Sequence, residues 1–153
     1  MIAQEEKVIV FDLNNEEYCV PVKFVKSIEK IQYITRVPKV EPFVKGVINL
    51  RGVVTPIIDL RLRFDFPELP FNELTRIIIV STNDKDVGFV VDSANDVLDI
   101  QQSQIESAPE VVGEIERDYI KGVAKLDKRL LILLDLENIL EPSNETNINV
   151  SEG

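Results

Sequence analysis

Arg51 is the residue whose setting points most clearly to chemistry, and that chemistry is recognition. It stands in Gly46-Val-Ile-Asn-Leu-Arg51-Gly52-Val-Val-Thr-Pro56-Ile-Ile-Asp59-Leu60, where two apolar runs, residues 47–50 and 53–58, flank the pair Arg51-Gly52. Glycine accepts positive φ without a Cβ clash, so this pair reads as the tip of a tight hairpin. Val and Ile on both sides favour strands, and Pro56 places an edge, a bulge or a bend in the second of them. Two readings compete for the guanidinium. It is either a solvated turn residue that blocks edge-to-edge pairing, or an interface anchor whose planar fork bonds several acceptors at once.

Carboxylates are the other chemically able groups, and their pattern speaks against an enzyme. Asp59 and Asp135 both follow apolar strand candidates, where Asp caps the next turn. The Asp84/Asp86 and Asp92/Asp96 groups lack the Asp-x-Asp-x-Asp-Gly order of a calcium loop. No Gly-rich stretch precedes Lys-Ser or Lys-Thr, so a phosphate loop is not expected. The chain has no His and a single Cys, which removes most zinc sites, Ser-His and Cys-His dyads and an internal disulfide. Cys19 lies in the apolar run Tyr18-Cys19-Val20-Pro21-Val22 and is expected to be buried packing. Catalytic, metal and cofactor sites are therefore not expected.

The elements that must position Arg51 belong to one modest domain. With 153 residues, 44% of them hydrophobic and 29% charged, the composition is that of an ordinary globular protein. A formal net charge of −10 argues against a nucleic-acid partner. No apolar run approaches the ~20 residues that span a bilayer, so direct membrane insertion is not expected. The N-terminus lacks the basic and apolar regions of a secretory signal, and a cytoplasmic location follows as the expectation.

Hairpins are expected from residues 8–13 with 18–22, from 76–81 with 87–92 and from 120–126 with 130–136. Asn14-Asn15, Asn83-Asp84 and Asp127-Lys128 mark their turns. Val22, Val25 and Ile28 fall at intervals of three, suggesting a helical turn leading into a strand at 28–34. One further helical turn is expected at 42–45, another at 137–140, and a short strand at 97–100. Residues 65–71, with Pro67 and Pro70, read as a connector, and 101–117 as a long loop. Residues 142–153 are polar and are expected to form a disordered tail.

The two halves repeat each other. Gly46-Val47, Leu50 and Asp59-Leu60 align without a gap on Gly122-Val123, Leu126 and Asp135-Leu136. The earlier hairpins match as well, and Ser27-Ile28 takes the slot of Asp96-Val97. A repeat fixes the architecture before any site can be argued. The fold expected is mainly β, with two similar five-stranded barrels packed side by side and short helical turns. One domain, 1–141, would hold two intertwined halves near 7–65 and 73–141, with strand exchange between them left open.

The repeat separates the candidate sites. Position 127 is Asp where position 51 is Arg, so the two tips differ in charge. Val22, Val25, Ile28, Val97 and Leu98 are either barrel core or the walls of a groove between the barrels. Such a groove can accept an amphipathic helix. Val37, Val40 and Phe43 on one half, with Ile105 and Val111 on the other, put apolar groups in Pro-containing loops. There they either cap the barrels or dock a partner.

Gly46-Val-Ile-Asn-Leu-Arg51-Gly52 followed by Pro56-Ile-Ile-Asp59-Leu60 resembles the signature of CheW-type chemotaxis coupling proteins. The likeness runs from Val8-Ile-Val-Phe11 and Tyr18-Cys19-Val20, where the family more often has Gly at 19. It continues through Val87-Gly-Phe-Val-Val-Asp92 to Tyr119-Ile-Lys-Gly-Val123 and Arg129-Leu-Leu-Ile-Leu-Leu-Asp135. It implies SH3-like barrels and a non-enzymatic adaptor coupling chemoreceptors to the histidine kinase CheA, recruited to membrane-associated receptor arrays. It also implies a receptor-binding role for Arg51 and for the groove of Val22, Val25, Ile28, Val97 and Leu98. Val37, Val40, Phe43, Ile105 and Val111 would face the kinase's regulatory domain. Rival readings are a CheV-type coupling half, a paralogous scaffold for surface motility, and an orphan hydrolase using carboxylates.

Overall fold

The computed structural model describes residues 5–107 and 117–140. Val111 and the tail at 142–153 lie outside the described residues. The fold is mainly β. Its strands are β1 (Glu5–Leu13), β2 (Glu16–Pro21), β3 (Val25–Lys30), β4 (Val44–Leu50), β5 (Val53–Asp59), β6 (Arg76–Thr82), β7 (Lys85–Val91), β8 (Ser93–Gln101), β9 (Ile105–Glu106), β10 (Ile120–Leu126) and β11 (Arg129–Leu134). Two short helices, α1 (Leu60–Arg63) and α2 (Leu136–Leu140), follow β5 and β11.

Pairing cuts across chain order. One sheet runs β8-β1-β2-β11-β10-β9, and the other runs β3-β6-β7-β5-β4. The N-terminal hairpin thus joins the C-terminal strands in the first barrel, while consecutive strands β3 to β7 make the second. Each barrel is SH3-like, and the first gains a sixth, two-residue strand in β9.

Alternation along the strands explains how both barrels share one core. Val8 and Val10 of β1 turn into the first barrel with Cys19, Ile100 and Leu131. Ile9, Phe11 and Leu13 face the other way and meet Ile78, Val80, Phe89 and Val91 of the second barrel. In β6 the split recurs, with Ile77 and Ile79 inside the barrel and Ile78 and Val80 between the barrels. Strands buried on both faces must be apolar throughout, which is why these runs lack a polar phase. Phe11, Tyr18, Phe64 and Tyr119 follow one another through this shared layer, with ring centroids 5.9, 6.2 and 5.4 Å apart; the first and last pairs are stacked and the middle pair is tilted.

The repeat is written in the irregularities too. The β3–β6 register slips between Val25 and Ser27, and β1–β8 slips at the matching place between Val10 and Phe11. The β4–β5 and β10–β11 registers slip beside Gly46 and Gly122. A Cβ at Gly46 would fall on the Thr35 carbonyl oxygen, because Thr35 and Val47 exchange two backbone hydrogen bonds there. At Gly122 it would stand 2.8 Å from the Glu106 carbonyl oxygen, where β9 crosses β10. Both glycines let a third segment approach closely.

Three local expectations differ from the structure. The strand placed at 28–34 is β3, which begins earlier at Val25 and ends at Lys30; beyond it Ile31 and Ile34 pack against the second barrel's interior. Residues 42–45 form a turn and the start of β4 rather than a helical turn, with the Val44 N–H donating to the Glu41 carbonyl. The stretch from 101 contains a 3-10 turn, Gln102–Gln104, and β9, because Ile105 reaches the first barrel's interior. Pro56 lies just outside the parallel pairing of Ile57 to Asp59 with β7, so its missing N–H breaks no bond there.

Candidate functional site

Arg51 sits at the β4–β5 tip with φ 52°, followed by Gly52 at φ 86°. Consecutive positive φ values make the tight hairpin whose twist matches the strands. The Asn49 side-chain oxygen accepts from the Gly52 N–H at 2.9 Å and pins the turn. The Arg51 side chain is 71% exposed and donates to Glu29 at 3.2 Å. Beside it, Lys26 pairs with Asp86 at 3.0 Å. That hydrogen bond, with one from Ser81, holds the Asp86 carboxyl below its ordinary range. Asp127, at the other tip, has φ 45°.

The groove residues separate by strand phase. Ile28 is in register with Ile78, and Val97 with Ile9. Ile78 and Ile9 belong to the layer between the barrels, yet Ile28 is 41% and Val97 51% exposed. These two therefore extend the shared layer to solvent at equivalent places on the two barrels. Val22 and Val25 pack against the same layer and are only partly buried. Leu98 differs, since it is in register with Val8 and packs inside the first barrel. Adjacent strand residues point to opposite faces, so Val97 and Leu98 do not share a groove wall.

The loop residues divide in the same way. Val37 and Val40 are exposed and line a cavity of about 730 Å³ with Ile34, Pro38, Leu62 and Phe71. Phe43 packs against the shared core, where its ring lies 4.5 Å from the Arg63 guanidinium. Ile105 packs inside the first barrel.

Sequence reasoning missed two buried cations and several exposed apolar groups. Arg61 is held by both carboxylate oxygens of Asp92, at 2.9 and 2.8 Å, and donates to the Pro67 carbonyl at 2.9 Å. Asp92 also accepts from the Asn14 N–H at 2.9 Å, tying the β1–β2 tip to the second barrel. Arg63 donates to the Ile139 carbonyl at 2.8 Å. Tyr33, Val53 and Val54 are exposed, the last two directly after the Arg51 tip.

The carboxylates of the repeat are caps. Asp59 accepts from the Arg61 N–H at 3.0 Å, and Asp135 accepts from the Asn138 N–H at 3.1 Å. Burial pushes the Asp59 carboxyl above its ordinary value, against the Arg61 N–H and Lys45, which lower it. Burial likewise raises the Cys19 thiol to about 12, with Glu6 adding to the rise, so the sulfur is packing rather than a nucleophile. Among the described residues no group of three or more acidic or Cys side chains is placed to hold a metal ion. None of the described helices is long and apolar enough to cross a membrane.

The fold thus presents an exposed tip arginine, and exposed apolar residues at equivalent places on its paired barrels. The sequence profile of the CheW-like domain matches residues 7–143, and the chain belongs to this family. It is 52% identical over 136 residues to the chemotaxis protein CheW of Bacillus subtilis strain 168, covering 89% of this chain and 87% of that one. The chemotaxis protein CheW of Thermotoga maritima is 34% identical, over 98% of this chain and 94% of its own. The crystal structure of the scaffolding protein TtCheW from Thermoanaerobacter tengcongensis superposes with a TM-score of 0.86 at 33% identity. That match covers 92% of this chain and 95% of the other.

Proposed function

We propose that this chain is a non-catalytic scaffold of chemotaxis signalling that couples chemoreceptors to the chemotaxis histidine kinase at receptor arrays in the cytoplasm. The observation that carries the reading is the difference between the two hairpin tips. Arg51 is presented to solvent, paired with Glu29 of β3, whereas the matching tip bears Asp127. In this reading a helical receptor tip lies along the seam of Val22, Val25, Ile28 and Val97, its apolar face on that seam and its acceptors on Arg51. Leu98 supports the seam from inside the barrel. Val37 and Val40 meet the kinase's regulatory domain, while Phe43 and Ile105 fix the backbones beside them. The adaptor makes and breaks no bonds. Modest contacts suffice, because an array converts the second binding event into an intramolecular one.

The test is a titration of this protein with the kinase's regulatory domain, followed by size exclusion. A shifted one-to-one peak supports the reading. A well-folded sample that gives no shift at high concentration overturns it.

A further inference from the structure

The two barrels are built alike, but their corresponding mouths are finished differently. In the first barrel Arg129 closes the mouth beside the β10–β11 turn. It donates to the two Glu17 carboxylate oxygens at 3.1 and 2.9 Å and lies 3.6 Å from Asp96. The repeat places Val53, Asp86 and Ser27 at those three positions of the second barrel. Valine is too short to cross the mouth and carries no charge for Asp86. The mouth remains as a cavity of about 220 Å³, lined by Ser27, Leu50, Val53, Thr55 and Ile79 among others. Arg51 stands at its rim.

Inside it the Ser27 hydroxyl oxygen is buried and has no hydrogen-bond partner among the described residues. Buried polar atoms are paired in nearly all folded proteins, and leaving one unpaired carries a desolvation cost. A partner that enters this cavity with a hydrogen-bonding group would remove that cost. The charge around the mouth is balanced, since Lys26 is matched by Asp86 and Arg51 by Glu29. A charged group would therefore lose its hydration without a net opposite charge to meet. A carboxamide has both a donor and an acceptor for the hydroxyl, and its methylene stem can lie on Leu50 and Ile79.

We propose that this mouth is a pocket for one uncharged side chain, Asn or Gln, presented by the partner helix that also meets Arg51. The proposal rests on the reading of Arg51 as a receptor-binding group. The pocket would fix the register of the helix against the Arg51 tip, where apolar contacts alone allow it to slide.

The experiment titrates the full chain with a soluble helical-hairpin fragment of a chemoreceptor's cytoplasmic tip, read by calorimetry. Ser27→Ala should weaken binding about 5- to 20-fold, with the thermal midpoint unchanged or higher because the orphan hydroxyl is gone. Val53→Arg copies the first barrel's plug toward Asp86 and should weaken binding more than 50-fold without unfolding the protein. One Asn→Ala or Gln→Ala on the fragment should match the loss seen with Ser27→Ala and add nothing to it. If Ser27→Ala and Val53→Arg bind like the wild type while Arg51→Asn binds weakly, the pocket is refuted and the Arg51 reading stands. If none of the three weakens binding, both fail. Coupling of Ser27 to a Glu or Asp of the fragment instead would overturn the carboxamide assignment.

Discussion

Phe43 and Tyr119 hold equivalent positions in the two repeats and share one guanidinium. The Asp59 N–H donates to the Phe43 carbonyl and the Asp135 N–H to the Tyr119 carbonyl, each at 2.8 Å. The Arg63 guanidinium lies 4.5 Å from the first ring and 4.8 Å from the second. A cation from one half thus joins aromatic residues of both, and its hydrogen bond to the Ile139 carbonyl fastens α2 to the same point.

Replacing that cation should be costly. Arg63→Met keeps the volume but removes two cation–π contacts and a charge-assisted hydrogen bond, for a loss of about 2–4 kcal/mol in urea unfolding. Arg63→Lys should lose less, since the charge remains. A loss below about 0.5 kcal/mol for Arg63→Met would show that the contact holds nothing together.

Arg51 should be separable from stability. Its φ of 52° makes Asn the better probe than Ala, because Asn tolerates the left-handed turn. Arg51→Asn should weaken binding to a receptor-tip fragment at least tenfold while unfolding free energy stays within about 0.5 kcal/mol, as for other surface changes. Full binding by the variant would return Arg51 to the role of a solvated turn residue.

The apolar seam is best probed where it is exposed. Val25→Glu would be ambiguous, because Val25 packs against the shared core. Ile28→Glu and Val97→Glu place charge on exposed positions and should each block receptor association in a protein with the wild-type melting temperature. Undiminished association by both would leave the seam as plain packing.

Asp59 sets a pH dependence. Its folded-state pKa is raised above the ordinary value of 3.8, so the folded chain holds this proton more tightly than the unfolded one. Its contribution is most favourable below the unfolded value and is lost as pH rises from there through the raised folded value. Asp59→Asn keeps an acceptor for the Arg61 N–H and removes the charge. The variant should gain stability over the wild type across that window in urea titrations. A difference that stays flat from about pH 3 to about pH 8 would contradict it.

Hairpins and repeat were legible because turn residues such as Asn14-Asn15 and Arg51-Gly52 punctuate the apolar runs, and Gly46 and Gly122 repeat at the same offset. Sheet membership was not. Val8, Ile9, Val10 and Phe11 are all buried, alternately inside a barrel and between barrels, so the sequence has no polar phase to say which neighbour each strand joins. The same loss of phase put Leu98 beside Val97. Period-two alternation, which puts Val97 on one face with Asp99 and Leu98 on the other with Ile100, was the signal that could have separated them. Nothing local to Arg61 and Arg63 reveals that Asp92 and Tyr119 come round to meet them.

The order of pairing also governs how this chain is born. Strands β3 to β7 are consecutive, so the second barrel can close once residue 91 has left the ribosome. The hairpin β1–β2 emerges earlier but must wait for its neighbour, since Val8 pairs with Leu98 and Tyr18 with Ile132. Until then its edge is an open template for other nascent chains. Pairings of such long sequence separation are slow to form. Production of this small protein should therefore be limited by the stretch of synthesis between β2 and β11, where a holdase chaperone that shields strand edges would raise the yield.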